Sequence, residues 1–62
     1  EAAVPDLINV LKKDERPVIR GTAAWALGKI GGMEAEQALQ IAMKRETDAE
    51  VLEEIQKGLA LL

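Results

Sequence analysis

The chain has 62 residues, enough for one small domain that buries about 60 % of its unfolded surface. Apolar residues make up 48 %, mostly Ala, Leu, Ile and Val with Trp25 as the single aromatic, so any core must be shallow and closely packed, as between helices. The absence of Cys and His excludes disulfides, the usual zinc sites, iron–sulfur ligation from within the chain and His or Cys catalysis. No apolar run approaches the ~20 residues of a membrane span. The net charge of −3 is unevenly spread. Residues 12–32 carry Lys12, Lys13, Arg16, Arg20 and Lys29 against Asp14 and Glu15, whereas the C-terminal half is acidic. A basic middle suits a phosphate backbone, which the acidic half would resist.

The spacing predicts four helices. The first runs from about Val4 to Lys13: Pro5 suits a first turn, and Val4, Leu7, Ile8 and Leu11 form one stripe. Asp14-Glu15-Arg16 interrupts the pattern. A second helix starts near Pro17, with Ile19, Ala23, Ala26, Leu27 and Ile30 as its stripe, and Gly31-Gly32 ends it. Gly21 and Gly28 lie inside it, where they cost about 1 kcal/mol each against Ala; they read as close-packing points. The third helix, about Glu34 to Arg45, buries Ala35, Ala38, Leu39, Ala42 and Met43, with acids at its start and Lys44-Arg45 at its end as the helix dipole prefers. The fourth starts at the N-cap Asp48, buries Val51, Leu52, Ile55, Leu59 and Leu62, and runs to residue 62. No period-2 alternation or hairpin turn signals a strand.

A shift of 32 residues sets Leu7 on Leu39, Leu11 on Met43, Lys12 on Lys44, Lys13 on Arg45, Asp14 on Glu46, Ile19 on Val51 and Leu27 on Leu59. A period near 30 with two helices per unit marks an α-solenoid, in which stacking completes a core that one unit cannot bury alone. The expected fold is therefore all-α, a solenoid fragment of four helices in about two stacked repeats. In this phasing, 4–13 is the second helix of one repeat, 17–45 a complete repeat and 48–62 the first helix of the next.

The run from Arg16 to Gly31 closely resembles the HEAT-like repeats of phycobilisome lyases, whose Val-Arg, Ala and Ala-Leu-Gly positions here read Ile19-Arg20, Ala23 and Ala26-Leu27-Gly28. The fuller wording, with Trp25 in it, is similar to the C-terminal HEAT-like segment of bacterial epoxyqueuosine reductases. That resemblance implies a cytoplasmic enzyme of queuosine synthesis that acts on tRNA with cobalamin and two [4Fe–4S] clusters. It implies a non-catalytic role for this segment, contacting the tRNA anticodon arm, with the cofactor sites elsewhere. The second copy departs from the pattern: Leu52 stands at the Arg position, Ile55 replaces the Ala, and Gly58-Leu59-Ala60 replaces Ala-Leu-Gly. It reads as a terminal, degenerate copy.

Lys12, Lys13, Arg16, Lys44 and Arg45 are the candidate RNA-phosphate contacts, because stacked repeats would place the two turns on one edge, about 10 Å apart. They read equally as dipole partners at helix C-termini. Arg20 reads as an ion pair or capping bond to an acidic group at an adjacent turn, such as Asp14 or Asp48, with ligand contact the other reading. Trp25 lies on a flank with Val18, Thr22 and Lys29; packing between repeats is the expected role, base stacking the other. Glu50, Glu53 and Glu54 read as a solvated face. No nucleophile–base constellation supports an independent enzyme. A protein-interaction scaffold is the alternative function. Val4, Ile8 and Val10 at one end and Leu59, Leu61 and Leu62 at the other predict self-association.

Overall fold

The computed structural model describes residues 3–62 as four helices: α1 (Ala3–Lys13), α2 (Pro17–Ile30), α3 (Met33–Arg45) and α4 (Ala49–Ala60). The punctuation works as its chemistry requires. Pro17 opens α2, where its missing N–H leaves no bond unmade. Gly31 and Gly32 adopt φ of 75° and 93°, a region costly to any residue with a Cβ. Gly31 N–H donates to the Leu27 carbonyl at 2.9 Å, closing the end of α2. Asp48 caps α4 by accepting from the Glu50 and Val51 N–H groups at 2.9 and 3.1 Å. α3 begins one residue earlier than its acidic first turn suggests, at the exposed Met33.

α1 packs on α2 and α3, and α4 packs on α2 and α3, while α1 and α4 do not meet. The helices thus form two layers, α1 with α3 and α2 with α4, and the 32-residue shift carries α1–α2 onto α3–α4. The all-α architecture of stacked helical units is the one expected. Leu11, Leu27, Leu39, Val51 and Ile55 meet in the core, contributed by all four helices. Complete burial stabilises by about 1.5–3 kcal/mol for each such side chain.

The crossing of α2 with α4 is unusually close. A Cβ on Gly28 would stand 2.4 Å from the Gly58 Cα, and one on Gly58 would stand 2.9 Å from the Ala24 carbonyl oxygen. Gly28 is thus the close-packing point anticipated, with Gly58 its counterpart. Because α2 touches the other three helices, it is buried over a broader arc than one stripe. Ala24, outside the expected stripe, is fully buried, whereas Ile30 at the end of α2 is 39 % exposed. Similarly, α4 ends at Ala60 in a tight turn, and Leu62 is exposed rather than buried. Of the residues expected to form sticky ends, Leu61 and Leu62 are exposed, but Val4 belongs to the core because α1 is covered by two helices.

Candidate nucleic-acid interface

α1 and α3 lie in the same layer, and each ends in two cations: Lys12 and Lys13 on α1, Lys44 and Arg45 on α3. All four are exposed. Lys12 and Arg45 line a single groove of about 460 Å³ between these helices, over a floor that includes Ile8, Leu11 and Ala42. The neighbouring helix C-termini carry partial negative charge, which favours cations here.

What brings the two turns together is Arg20. Its Nε and Nη2 donate to the two carboxylate oxygens of Glu46 at 3.0 and 2.9 Å, and its Nη1 donates to the Asp14 carbonyl at 2.8 Å. One guanidinium therefore ties the first turn to the second. A bidentate fork of this kind fixes geometry as well as charge. Glu46 also accepts from the Thr47 and Asp48 N–H groups at 3.2 and 3.0 Å. Its carboxyl is held below the ordinary 4.5: the Arg20 hydrogen bonds act most, burial opposes them, and the Asp48 and Thr47 N–H groups assist.

The acidic partner at an adjacent turn is a residue that the spacing alone did not single out. Arg20 engages the carboxylate of Glu46, at the turn after α3, and not that of Asp14 or Asp48. The signal was present in the alignment of Asp14 with Glu46 under the 32-residue shift. Asp14 itself accepts from the backbone N–H, Nε and Nη2 of Arg16 at 2.9, 3.0 and 2.8 Å. Those bonds, the side-chain ones first, pull the Asp14 carboxyl from 3.8 to about 2. Arg16 is thereby partly neutralised, although its side chain is 72 % exposed.

The remaining candidates fall elsewhere. Ile19, Ala23, Ala26, Leu27 and Gly28 of the repeat signature lie in or beside the core. Trp25 is 48 % exposed at the groove between α2 and α4, with Lys29 Nζ 5.4 Å from its ring centroid. The reason is that α4 crosses α2 at Gly28 and leaves the Val18–Thr22–Trp25 flank uncovered. Glu50 and Glu53 are exposed, and Lys57 lies 3.8 and 3.7 Å from Glu53 and Glu54. Among the described residues, no group of three or more Asp or Glu side chains is placed to hold a metal ion, and no helix is long and apolar enough to cross a membrane.

A family profile of HEAT repeats matches residues 1–60. An epoxyqueuosine reductase of Bacillus cereus is 62 % identical over 61 residues, covering 98 % of this chain and 16 % of the reductase. The Bacillus subtilis reductase is 51 % identical over 61 residues, with the same coverage. A crystal structure of epoxyqueuosine reductase with a tRNA-Tyr epoxyqueuosine-modified stem loop superposes with a TM-score of 0.93 at 51 % identity, again over 98 % of this chain and 16 % of that one. The chain thus spans about 16 % of these relatives and matches their C-terminal portion. From the matched profile and the stacked helical hairpins, the chain belongs to the HEAT-repeat family.

Proposed function

We propose that this chain is a non-catalytic accessory segment of an epoxyqueuosine reductase-like, cytoplasmic enzyme, and that it contacts the anticodon arm of the tRNA substrate. The observation that carries the reading is the groove lined by Lys12 and Arg45, with Lys13 and Lys44 beside them at the ends of α1 and α3, on a chain 51 % identical to a segment of a reductase solved with a tRNA stem loop. The role is positional. Phosphates running along the edge meet cations whose spacing is set by the Arg20–Glu46 tie, and such contacts orient an RNA without reading its sequence. Arg16 contributes less, because Asp14 already shares its charge.

Cobalamin and two [4Fe–4S] clusters are implied for such an enzyme by the family resemblance. The residues here do not fit the clusters, which need Cys thiolates that this chain lacks, so no redox step runs through it. The alternative reading, a protein-interaction scaffold, is favoured only by the exposed Trp25 flank on a different face.

The test is binding of an anticodon stem-loop RNA to a reductase carrying this segment, as a function of salt. Neutralising Lys12, Lys13, Lys44 and Arg45 together to Ala should weaken binding at least tenfold at low salt. It should also lower the slope of log affinity against log salt by roughly one for each phosphate that no longer meets a cation. Unchanged affinity and slope would overturn the assignment.

A further inference from the structure

The flank of α2 that α4 leaves open forms a second groove, of about 340 Å³, between the two helices. Pro17, Val18, Thr22 and Trp25 line one side and Glu50, Glu53 and Glu54 the other, over Gly21 and Val51. Gly21 forms part of its floor, and a Cβ built there would stand 3.4 Å from the Glu54 Cγ, an ordinary contact. Val18 is 75 % exposed and Trp25 48 % exposed, so the first side is an apolar ridge open to water. From Pro17 to Trp25 it runs about 12 Å along the helix, at ~1.5 Å per residue.

We propose that this groove seats a basic peptide segment, with Lys or Arg stems along the Val18–Trp25 ridge and their charged heads against the glutamates. Charge complementarity selects this occupant. Glu50 has no cationic partner among the described residues, while Glu53 and Glu54 share one lysine, Lys57, at 3.8 and 3.7 Å. Exposed pairs at such distances hold their partners weakly and are readily exchanged. The ring of Trp25 has the Lys29 ammonium 5.4 Å from its centroid, so a half-exposed indole here already engages a cation. Long basic side chains cover apolar surface with their methylenes and present charge at the tip, which matches an apolar ridge facing an acidic one. The same acids repel an RNA backbone, so this face is separate from the cationic edge and does not depend on the tRNA reading.

The test uses the emission of Trp25, the chain's single tryptophan, in the full chain at low salt. The probe is a blocked peptide of repeating Arg-Ala-Ala-Lys. A saturable change in emission is expected, with affinity falling at least fivefold in Glu50→Gln/Glu53→Gln. A Glu34→Gln/Glu36→Gln variant, with the same charge change on α3, should stay within twofold of the parent. Equal weakening by both variants would mean a diffuse attraction to an acidic chain and would overturn the proposal. So would an equal emission change with spermidine, or a change with stem-loop RNA and none with the peptide.

Discussion

The turn between α1 and α2 and the turn between α3 and α4 stand 32 residues apart in equivalent places, and both are organised by a carboxylate. Asp14, with its short side chain, folds back on its own turn and holds Arg16. Glu46, one methylene longer, also binds its own turn through the Thr47 and Asp48 N–H groups, yet reaches the Arg20 guanidinium of the other hairpin. The first turn gives Arg20 only a backbone carbonyl. Position 52, equivalent to Arg20, is Leu, so among the described residues this clamp between turns is built once. Two copies of one repeat can thus share a backbone path and a hydrophobic stripe while differing in what their polar corners bind.

The largest effect should come from the crossing that holds the hairpins in register. In Gly28→Ala the new methyl meets Gly58 backbone at 2.4 to 3.0 Å, so α2 and α4 must separate. A loss of about 3 kcal/mol or more is expected. That is a large part of the roughly 3–9 kcal/mol that a chain this size commonly has, and thermal unfolding followed by circular dichroism should show a partly or wholly unfolded variant. Gly21→Ala is the control. Its methyl meets only the flexible Glu54 side chain at 3.4 Å, and helix propensity favours Ala by about 1 kcal/mol, so the melting temperature should rise. A similar loss in both variants would show that the close approach at Gly28 is unimportant.

The next largest effect should come from breaking the clamp. Glu46→Ala removes both carboxylate bonds to Arg20 and leaves two backbone N–H groups without their acceptor, for a cost of about 2–3 kcal/mol. The pH dependence has a definite sign. The Glu46 carboxyl is lowered in the folded chain, so its contribution is complete above the ordinary value of 4.5 and fades as pH falls through the folded value. Stability of the parent chain should therefore decline as pH falls from 4.5 through the folded value, and Glu46→Ala, less stable at neutral pH, should flatten stability against pH in that range. An unchanged profile would mean that the clamp adds nothing to stability.

Much of this was legible along the chain. Pro17, Gly31-Gly32 and Asp48 mark helix ends through strictly local chemistry, and the 3.6-residue stripes of α1 and α3 each face one buried side. The breadth of burial on α2 was not, because a stripe cannot reveal that α4 crosses it at Ala24 and Gly28. The exposure of Trp25 depends on where α4 crosses, which Gly28 and Gly58, 29 residues between them, decide. The cationic residues of the candidate interface were readable by type and spacing. The partner of Arg20 was not, since a hydrogen bond between residues 20 and 46 belongs to the stacking and not to either turn.

The smallest contrast lies at the helix starts that follow the two turns. α4 begins with Asp48, whose carboxylate satisfies two N–H groups; α2 begins with Arg16, which makes no side-chain cap, and relies on Pro17 instead. Asp48→Ala should therefore cost about 1 kcal/mol, or about 4–8 °C in melting temperature for a domain of this size. Arg16→Ala should leave the melting temperature nearly unchanged, since an exposed ion pair contributes little. Its effect should appear instead on Asp14, whose carboxyl should return from about 2 toward 3.8 when the guanidinium is gone, as carboxyl chemical shifts against pH would record. In the parent chain the Asp14 contribution is present above 3.8 and is lost as pH falls toward 2, so the small difference in stability between the two chains should be present above 3.8 and vanish toward pH 2. If Arg16→Ala were as costly as Asp48→Ala at neutral pH, the two turns would be alike in energy, and the difference between a local carboxylate and a capping one would have no thermodynamic content.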